Sequence, residues 1–273
     1  MRTRQEQVIT ELGVQPTIDP EVEVLLRREY LKEALAHSGI NGFVLGISGG
    51  QDSLLASILA QQAVTEHRDA TGENASFHAM LLPYGIQADR NDALLACETI
   101  KPDYVWDLDI KPAVDAFAES YETATGAPLP DFHKGNAKAR ERMIAQYAVA
   151  GAHGLLVVGT DHAAEAITGF FTKFGDGGAD IVPLAGLNKR QGRDMLRVLG
   201  APTIFVTKPP TADLLDAKPG QTDETELGVT YDQIDDYLEG KDVPEHVARF
   251  LEERYDTTIH KRTVPAAYTD TLQ

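Results

Sequence analysis

The stretch GISGGQDS at residues 46–53 places three glycines, two serines and one carboxylate between an apolar run and an amphipathic run. Gly49 and Gly50 have no Cβ, so their backbone N–H groups can approach an anion closely and adopt positive φ. Ser48 and Ser53 add hydroxyl donors. A glycine pair alone more often marks a tight strand-to-helix turn. The serines, the acid and the helix-opening position together favour a phosphate-binding loop.

Asp52 distinguishes this loop from the Walker A type, which requires a lysine followed by serine or threonine. A carboxylate in the first helical turn is favoured by the helix dipole but repels an anionic ligand. A magnesium ion shared by carboxylate and phosphate oxygens removes that conflict. Glu165 supplies a second carboxylate in VVGTDHAAEAI, where Thr160 ends another apolar run. Alone, each acid is typical of a solvated helix start and Thr160 of a helix cap. Together they predict a metal and nucleotide site.

The surrounding elements must bring these residues together. Short apolar runs, typical of strands covered on both faces, occur at 42–48, 76–83, 103–108, 154–160 and 202–206. Helical patterns separate or follow them at 52–65, 89–100, 111–123, 136–151 and 188–199. This alternation predicts an α/β fold with a doubly wound, parallel, five-stranded sheet and helices on both faces. Ligands of such sheets bind at the carboxyl ends of the strands. We therefore expect Asp52 and Glu165 to share one crevice if the first and fourth strands are neighbours.

Length and charge set further bounds. We expect the 273 residues to form one domain, with a helical N-terminal extension over about residues 1–40. The formal charge of −17 argues against nucleic acid and anionic membranes as partners. Cys97 is the one cysteine, so no disulfide can form within the chain. Without a long apolar run, a cytoplasmic location is the expectation.

Two segments are too long and too polar to be simple connections, namely 172–186 with its four glycines and 207–228 with its prolines, threonines and aspartates. We interpret them as functional loops. Residues 83–90 and 207–228 are further expected to close over a bound nucleotide as lids. The eight histidines show no zinc-binding spacing, so no transition-metal site is expected.

The motif SGGQDS resembles the pyrophosphate loop of the ATP pyrophosphatases, and its Gln-Asp-Ser variant resembles that of ammonia-dependent NAD synthetases. The resemblance runs from about residue 20 to the C-terminus through GNAKARERM, GTDHAAEAITGFFTKFGDGGADIVPLAGLNKRQ, KPPTADL, PGQTDE and HKR. It implies a Rossmann-like ATP pyrophosphatase fold in a homodimer that uses magnesium. It also implies conversion of nicotinic acid adenine dinucleotide (deamido-NAD), ATP and ammonia to NAD, AMP and pyrophosphate through an acyl adenylate.

Site residues follow from the same resemblance, motif by motif. ATP would contact Gly46, Ile47, Ser48, Gly49, Gly50, Gln51, Asp52, Ser53, Thr160, Lys189 and Thr211. Deamido-NAD would contact Arg140, Lys173, Asp180, His260 and Lys261. The resemblance further makes Asp52 and Glu165 the magnesium ligands. For catalysis we expect Asp52 and Lys189 to act on the phosphates, and Asp180 to orient ammonium or accept its proton.

Other interpretations stay open. Another ATP pyrophosphatase, such as a GMP synthetase or a tRNA-modifying ligase, shares the loop, but the net charge argues against tRNA and GFFTKFGDGGAD against the others. A nucleotide sensor without turnover is a rival of a different class, which both metal carboxylates and Lys189 disfavour. Glutamine-dependent relatives carry an amidase domain, for which this chain has neither room nor a recognisable nucleophile. Ammonia is therefore the expected nitrogen source.

Overall fold

The computed structural model describes residues 2–86, 89–210, 222–265 and 267–268. Thr211 and the central parts of both expected lids, 87–88 and 211–221, lie outside the described residues. Four parallel strands form one sheet, namely β1 (Gly42–Gly46), β2 (Ser76–Leu81), β3 (Tyr104–Asp107) and β4 (Leu156–Val157). Their order is β3-β2-β1-β4. The chain thus builds outward from β1 and then returns to place β4 on its other side, so the switch point lies between β1 and β4, as predicted.

Helices lie between and after the strands. Those within the described ranges are α1 (Thr3–Glu11), α2 (Pro20–Ser38), α3 (Gln51–Thr71), α4 (Arg90–Ile100), α5 (Lys111–Thr125), α6 (Asp131–His153), α7 (Ala163–Thr168), α8 (Lys189–Val198), α9 (Thr203–Thr207), α10 (Asp223–Leu227), α11 (Tyr231–Leu238), α12 (Glu245–Thr257) and α13 (Ile259–Arg262). The five predicted helices are confirmed as α3, α4, α5, α6 and α8. No helix of the described chain is both long enough and apolar enough to cross a membrane.

The α/β fold with a parallel sheet is confirmed, but the fifth strand predicted at 202–206 is wrong because this segment forms α9. Phe205 and Val206 are buried in the core that α3 and α8 share, whereas Ile204 is exposed. The outer edge of the sheet beside β4, where a fifth strand would pair, is occupied by the segment around Ile181. Ile181 forms a parallel bridge with Val158 there, and its carbonyl accepts a hydrogen bond of 2.8 Å from Gly159 N–H.

Side chains alternate between the two faces of the sheet. Phe43 and Leu45 of β1 pack into a core cluster with α2, α3 and α8. Val44 between them packs on the opposite face with residues of α5 and α6. A third cluster, away from the sheet, joins α1, α7, α11 and α12. The sheet is therefore covered on both faces at β1, as its apolar sequence indicates. The same expectation for the run at 103–108 is wrong, because all residues of β3 are exposed at the edge of the sheet. That residues 1–273 form one domain stays a prediction.

Candidate active site

The phosphate loop, residues 46–53, follows β1 directly and leads into the N-terminus of α3. Gly49 has φ of +74°, and a Cβ there would lie 2.8 Å from the backbone nitrogen of Ala93 in α4. Only glycine fits this position without displacing α4. Within the loop, Gly50 N–H donates to Ser48 Oγ at 3.2 Å, and Ser48 Oγ lies 3.0 Å from Ser53 Oγ. The loop is thus braced by its own hydroxyls beside a helix N-terminus that favours anions.

A cavity of about 690 Å³ opens beyond the carboxyl ends of β1 and β4. Its volume is within the range of small-molecule sites. The predicted site residues that line it are Gly46, Ile47, Ser48, Gly50, Gln51, Asp52, Ser53, Thr160, Glu165, Lys189 and Lys261. Residues separated by more than 200 positions in the chain therefore meet in one concave space. Gly49 instead faces α4.

The two predicted metal carboxylates do share this crevice. Asp52 lies in the first turn of α3 and Glu165 in the first turn of α7, and His162 lies between them. His162 Nε2 is 3.6 Å from Asp52 Oδ1 and 3.6 Å from Glu165 Oε1. Lys189, the first residue of α8, places its Nζ 2.6 Å from Asp52 Oδ2. Three helix starts therefore bring two acids, an imidazole and an ammonium group to one point.

Their ionisation is set by burial and by one another. Burial opposes the charge on Asp52, but Lys189 and His162 outweigh it and hold the pKa of Asp52 below its ordinary value. For Glu165 burial and the nearby Asp52 charge act in the same direction and raise its pKa. Burial lowers the pKa of Lys189, but the charges of Asp52 and Glu165 outweigh burial and raise this pKa above its ordinary value. The ammonium form therefore prevails. The result is one firmly ionised acid beside a second that a cation would ionise.

The donor set fits Mg²⁺. The chain offers carboxylate oxygens from Asp52 and Glu165, and their ligand atoms and that of His162 lie within 4.8 Å of one another. The backbone N–H of Glu165 faces His162 Nδ1 at 3.4 Å, so Nδ1 accepts and Nε2 of the neutral ring carries the proton. Burial lowers the pKa of His162, which keeps the ring neutral. The His162 Nε2–H then faces both acids at 3.6 Å, and the carboxylate oxygens are the hard ligands that suit a hard cation.

Four of the residues predicted to bind the dinucleotide are connected. Arg140 of α6 donates to the carbonyl of Lys173 at 3.3 Å, and Lys173 Nζ donates to the carbonyl of His260. Lys261, next in the chain, donates to the carbonyls of Gly169 and Phe171 at 2.8 and 2.7 Å. Of the four, Lys261 lines the cavity while Arg140, Lys173 and His260 lie beyond its wall. They form a cationic margin beside the cavity.

The model of the NAD synthase family matches residues 23–265. The chain belongs to the NAD synthase family. Among curated relatives of the family, the NH(3)-dependent NAD(+) synthetase of Bacillus pumilus (strain SAFR-032) is 60% identical over 266 residues, covering 97% of each chain. That of Bacillus subtilis (strain 168) is 59% identical with the same coverage.

Solved structures of the NAD synthase fold agree. The NAD+ synthetase from Burkholderia pseudomallei has a TM-score of 0.83 at 48% identity and covers 96% of this chain and 97% of its own. An NMN synthetase from Francisella tularensis has a TM-score of 0.81 at 35% identity and covers 93% of this chain and 100% of its own. The similarity extends over nearly the whole chain rather than the phosphate loop alone.

Asp180, like Arg140, Lys173 and His260, lies outside the wall of the cavity. Its Oδ1 accepts a hydrogen bond of 3.0 Å from Tyr147 Oη, and its Oδ2 accepts one of 2.8 Å from Val157 N–H. Asp180 does not line the cavity. Burial, followed by the bond to Asp180, raises the pKa of Tyr147 to about 12. The Asp180 carboxylate thus connects α6 to the end of β4.

Charged residues that were not predicted also line the cavity, among them Asp176, Lys208 and Arg254. Asp176 is open to solvent through the cavity but otherwise enclosed by protein, and this burial raises its pKa. Burial and the charge of Asp176 raise the pKa of Asp161 to about 7. Asp176 lies in FGDGGAD, where flanking glycines were a signal that this acid reaches a ligand. Arg254 lies far along the chain on α12, and nothing in its local sequence marks it.

Proposed function

We propose that this protein is an ammonia-dependent NAD synthetase that converts deamido-NAD, ATP and ammonia to NAD, AMP and pyrophosphate. The observation that carries the proposal is the meeting of Asp52, Glu165 and Lys189 at the phosphate loop, in a cavity large enough for a nucleotide. Two relatives about 60% identical over nearly the whole chain bear the same name. A sensor without turnover has no need of two carboxylates and a buried lysine at the phosphates.

In the first step, an oxygen of the nicotinate carboxylate attacks the α-phosphorus of ATP, and the bond to pyrophosphate breaks. The resulting acyl adenylate is a better electrophile than the carboxylate. The chain contributes by positioning and charge. The N-terminus of α3 and the hydroxyls of Ser48 and Ser53 hold phosphate oxygens, while the Lys189 ammonium stabilises the charge of the leaving pyrophosphate.

In the second step, ammonia attacks the carbonyl carbon, the bond to AMP breaks, and nitrogen loses a proton. Asp180 stays our candidate to orient ammonium or accept that proton. Asp176 is a second candidate, because its carboxylate lines the cavity and its raised pKa suits proton transfer. Asp176→Asn and Asp180→Asn separate the two. The residue that accepts the proton is the one whose substitution lowers kcat and raises KM for ammonium. Substitution of the other residue is expected to leave KM for ammonium unchanged.

Mg²⁺ is the proposed cofactor, held by Asp52 and Glu165. When bound, it neutralises charge on the ATP phosphates. Lys189 already pairs with Asp52, so it places a second positive charge at the same phosphates. This pairing explains how a phosphate loop without its own lysine can hold ATP.

An NMN synthetase is the second candidate, because a solved protein of that name is 35% identical and has the same fold. Such an enzyme would amidate the mononucleotide and would not need the adenylate half of deamido-NAD. The cationic margin of Arg140, Lys173 and His260 outside the cavity favours the larger substrate, whose second phosphate and ribose extend further. Comparing kcat/KM for deamido-NAD and nicotinic acid mononucleotide decides between them. A higher value for the mononucleotide would reassign the substrate.

A homodimer is also proposed, and an exposed apolar surface supports it. All four residues of β3 are exposed, among them Tyr104, Val105 and Trp106 at 52%, 51% and 37%. Phe117 of α5 and Ile144 of α6 are exposed as well. A sheet edge with uncovered apolar side chains is typical of an interaction surface.

A cytoplasmic location is part of the proposal, and cell fractionation would test it.

Isotope transfer tests the reaction. With heavy oxygen in the nicotinate carboxylate, one labelled atom is expected in the phosphate of AMP and none in pyrophosphate. Label in inorganic phosphate with ADP as co-product would contradict the adenylate route. Ammonium alone is expected to support NAD formation, whereas glutamine alone is not. Turnover of glutamine by the purified chain would remove the ammonia assignment.

A further inference from the structure

Lys208 lies at the edge of the cavity, just before residues 211–221, and has no role in the reaction described above. Its Nζ is 2.6 Å from Asp92 Oδ2 and 3.5 Å from the carbonyl oxygen of Gly49. The two side chains are about a quarter exposed, 23% for Lys208 and 25% for Asp92. An ion pair in this setting is shielded from solvent more than a surface pair.

Asp92 belongs to the first turn of α4, which begins three residues after position 87. Its Cβ is in the direct path of any side chain added at Gly49, so α4 and the phosphate loop are in contact. The pair between Lys208 and Asp92 therefore connects three parts of the site. These are the phosphate loop, the start of α4 and the residues that lead into 211–221.

Gln51 strengthens this connection from inside. The Gln51 side chain is buried, and its Nε2 donates to the carbonyl of Val206 at 3.2 Å and to that of Lys208 at 3.4 Å. A residue of the phosphate loop thus fixes the backbone of Lys208, while Asp92 fixes its ammonium group. Both ends of Lys208 are held against the loop that binds ATP phosphates.

We propose that Asp92 and Lys208 form an ion-pair clasp that positions residues 203–210 against the phosphate loop and thereby sets the affinity for ATP. Lys208 and Asp92 are positioning residues in this proposal, which rests on the proposed ATP-dependent function. The clasp bonds to the phosphate loop, whereas the bonds of Arg140 and Lys173 run to Lys173 and His260. Its loss is expected to weaken ATP binding and to leave deamido-NAD binding unchanged.

A double-mutant cycle tests the clasp with the full-length protein. Lys208→Met, Asp92→Asn and the double variant are compared with wild type by calorimetric titration of Mg-ATP and by steady-state kinetics. Each single variant is expected to raise Kd and KM for ATP by about fivefold, the upper value for a partly exposed ion pair. The double variant is expected to be no weaker than either single variant, because the two residues act through one interaction.

Lys32→Met is the matched control. Lys32 has a similar exposure of 25% and pairs with Glu29 of α2 at 2.6 Å and with Glu66 near the C-terminal end of α3 at 3.1 Å, and neither acid lines the cavity. It is expected to leave KM for ATP unchanged. The KM for deamido-NAD is expected to stay within about twofold of wild type in all four variants, which a general loss of structure would not allow.

Two outcomes overturn the clasp. In the first, Asp92→Asn leaves ATP affinity unchanged or improves it while Lys208→Met weakens it. The Lys208 ammonium group would then contact the nucleotide directly, and Asp92 would only compete with ATP for that group. If both single variants bind ATP as wild type does, the pair has no positioning role. The proposed function is tested apart from this, because wild-type protein must form AMP from deamido-NAD, ATP and ammonium. Its failure to do so would remove the function even if ATP affinity responds as expected.

Discussion

At the residue scale, sequence identifies a site residue when its neighbours constrain it. Asp52 could be predicted because glycines and serines surround it at a strand-to-helix junction, and Glu165 because it follows the next strand end at the same edge. The ion pair of Lys189 with Asp52 joins residues 137 positions apart, so no local pattern contains it. The same is true of Lys208 and Asp92, which are 116 positions apart. Such contacts depend on the order of strands, which the local sequence does not state.

Asp52→Asn and Glu165→Gln are each expected to lower kcat by roughly 100-fold or more while the fold survives, because each removes charge from the proposed metal site. Excess magnesium is expected to restore part of the activity. Steady-state assays over a magnesium titration, with circular dichroism as the check on folding, measure both effects. Asp194→Asn, at a partly exposed acid of α8 that does not line the cavity, is the control. Normal turnover by both site variants at ordinary magnesium would refute the metal assignment.

Gly49→Ala tests the conformation of the phosphate loop. Gly49 combines φ of +74° with a Cβ position 2.8 Å from Ala93 N, so alanine is both strained and obstructed. We expect a loss of about 2 kcal/mol or more in the free energy of unfolding. Gly50→Ala is the matched control, because Gly50 has φ of −94° and its added Cβ would meet only Ser48 Oγ at 3.2 Å. Equal losses in chemical denaturation would show that φ at Gly49 is unimportant.

At the element scale, the order of the strands and the positions of the helix N-termini determine which side chains meet in the cavity. The alternation of apolar runs predicts four of the strands and the helices between them, because the runs of β1, β2 and β4 are largely buried. PTIFV at 202–206 has the same apolar, β-branched composition but folds as α9, since the edge of β4 is occupied by Ile181. Local composition cannot report that a sheet edge is taken. Helix α11 also positions the site, because its Asp235 accepts hydrogen bonds from the first two backbone N–H groups of α8.

Asp235→Asn tests this support of α8. The buried Asp235 carboxylate accepts hydrogen bonds from Lys189 N–H at 3.0 Å and from Arg190 N–H at 2.8 Å. An asparagine side chain has one oxygen and cannot accept both in this way. We expect a raised KM for ATP, because the backbone that carries Lys189 is no longer fixed. Steady-state kinetics measures it, and an unchanged KM would show that α8 is held without Asp235.

The pH dependence of stability provides a second test at this position. Burial raises the pKa of Asp235 from 3.8 to about 6, so the folded protein takes up this proton more readily than the unfolded chain. That contribution to stability is present at low pH and is lost as pH rises through about 4 to 6. The difference in unfolding free energy between wild type and Asp235→Asn is therefore expected to be larger near pH 5 than near pH 7.5, by roughly 1 to 1.5 kcal/mol. Denaturation of both proteins at the two pH values measures it. A difference that shrinks toward low pH would contradict the raised pKa.

At the scale of the whole molecule, the net charge of −17 and the exposed apolar edge of the sheet have opposite effects on association between copies of the chain. Like charge disfavours unspecific association, whereas the uncovered side chains of β3, α5 and α6 favour one defined contact. α6 also carries Arg140 four residues before the exposed Ile144, so both lie on the same side of that helix. The proposed interface and the cationic margin for deamido-NAD are therefore neighbours. A second copy of the chain that covers α6 would lie next to the bound dinucleotide.

Val105→Lys places a charge in the middle of this surface and is expected to break the dimer, because an ammonium group would be buried against apolar side chains. Sedimentation should then give the mass of one chain, 29.7 kDa, where wild type gives twice that mass. Because Arg140 adjoins the interface, the variant is expected to lose affinity for deamido-NAD more than for ATP, whose phosphate loop lies at the switch point between β1 and β4. Val198→Lys is the control, since Val198 is similarly exposed at 44% but ends α8. A dimeric Val105→Lys protein would exclude β3 from the interface, and a monomeric one with unchanged deamido-NAD affinity would separate assembly from substrate binding.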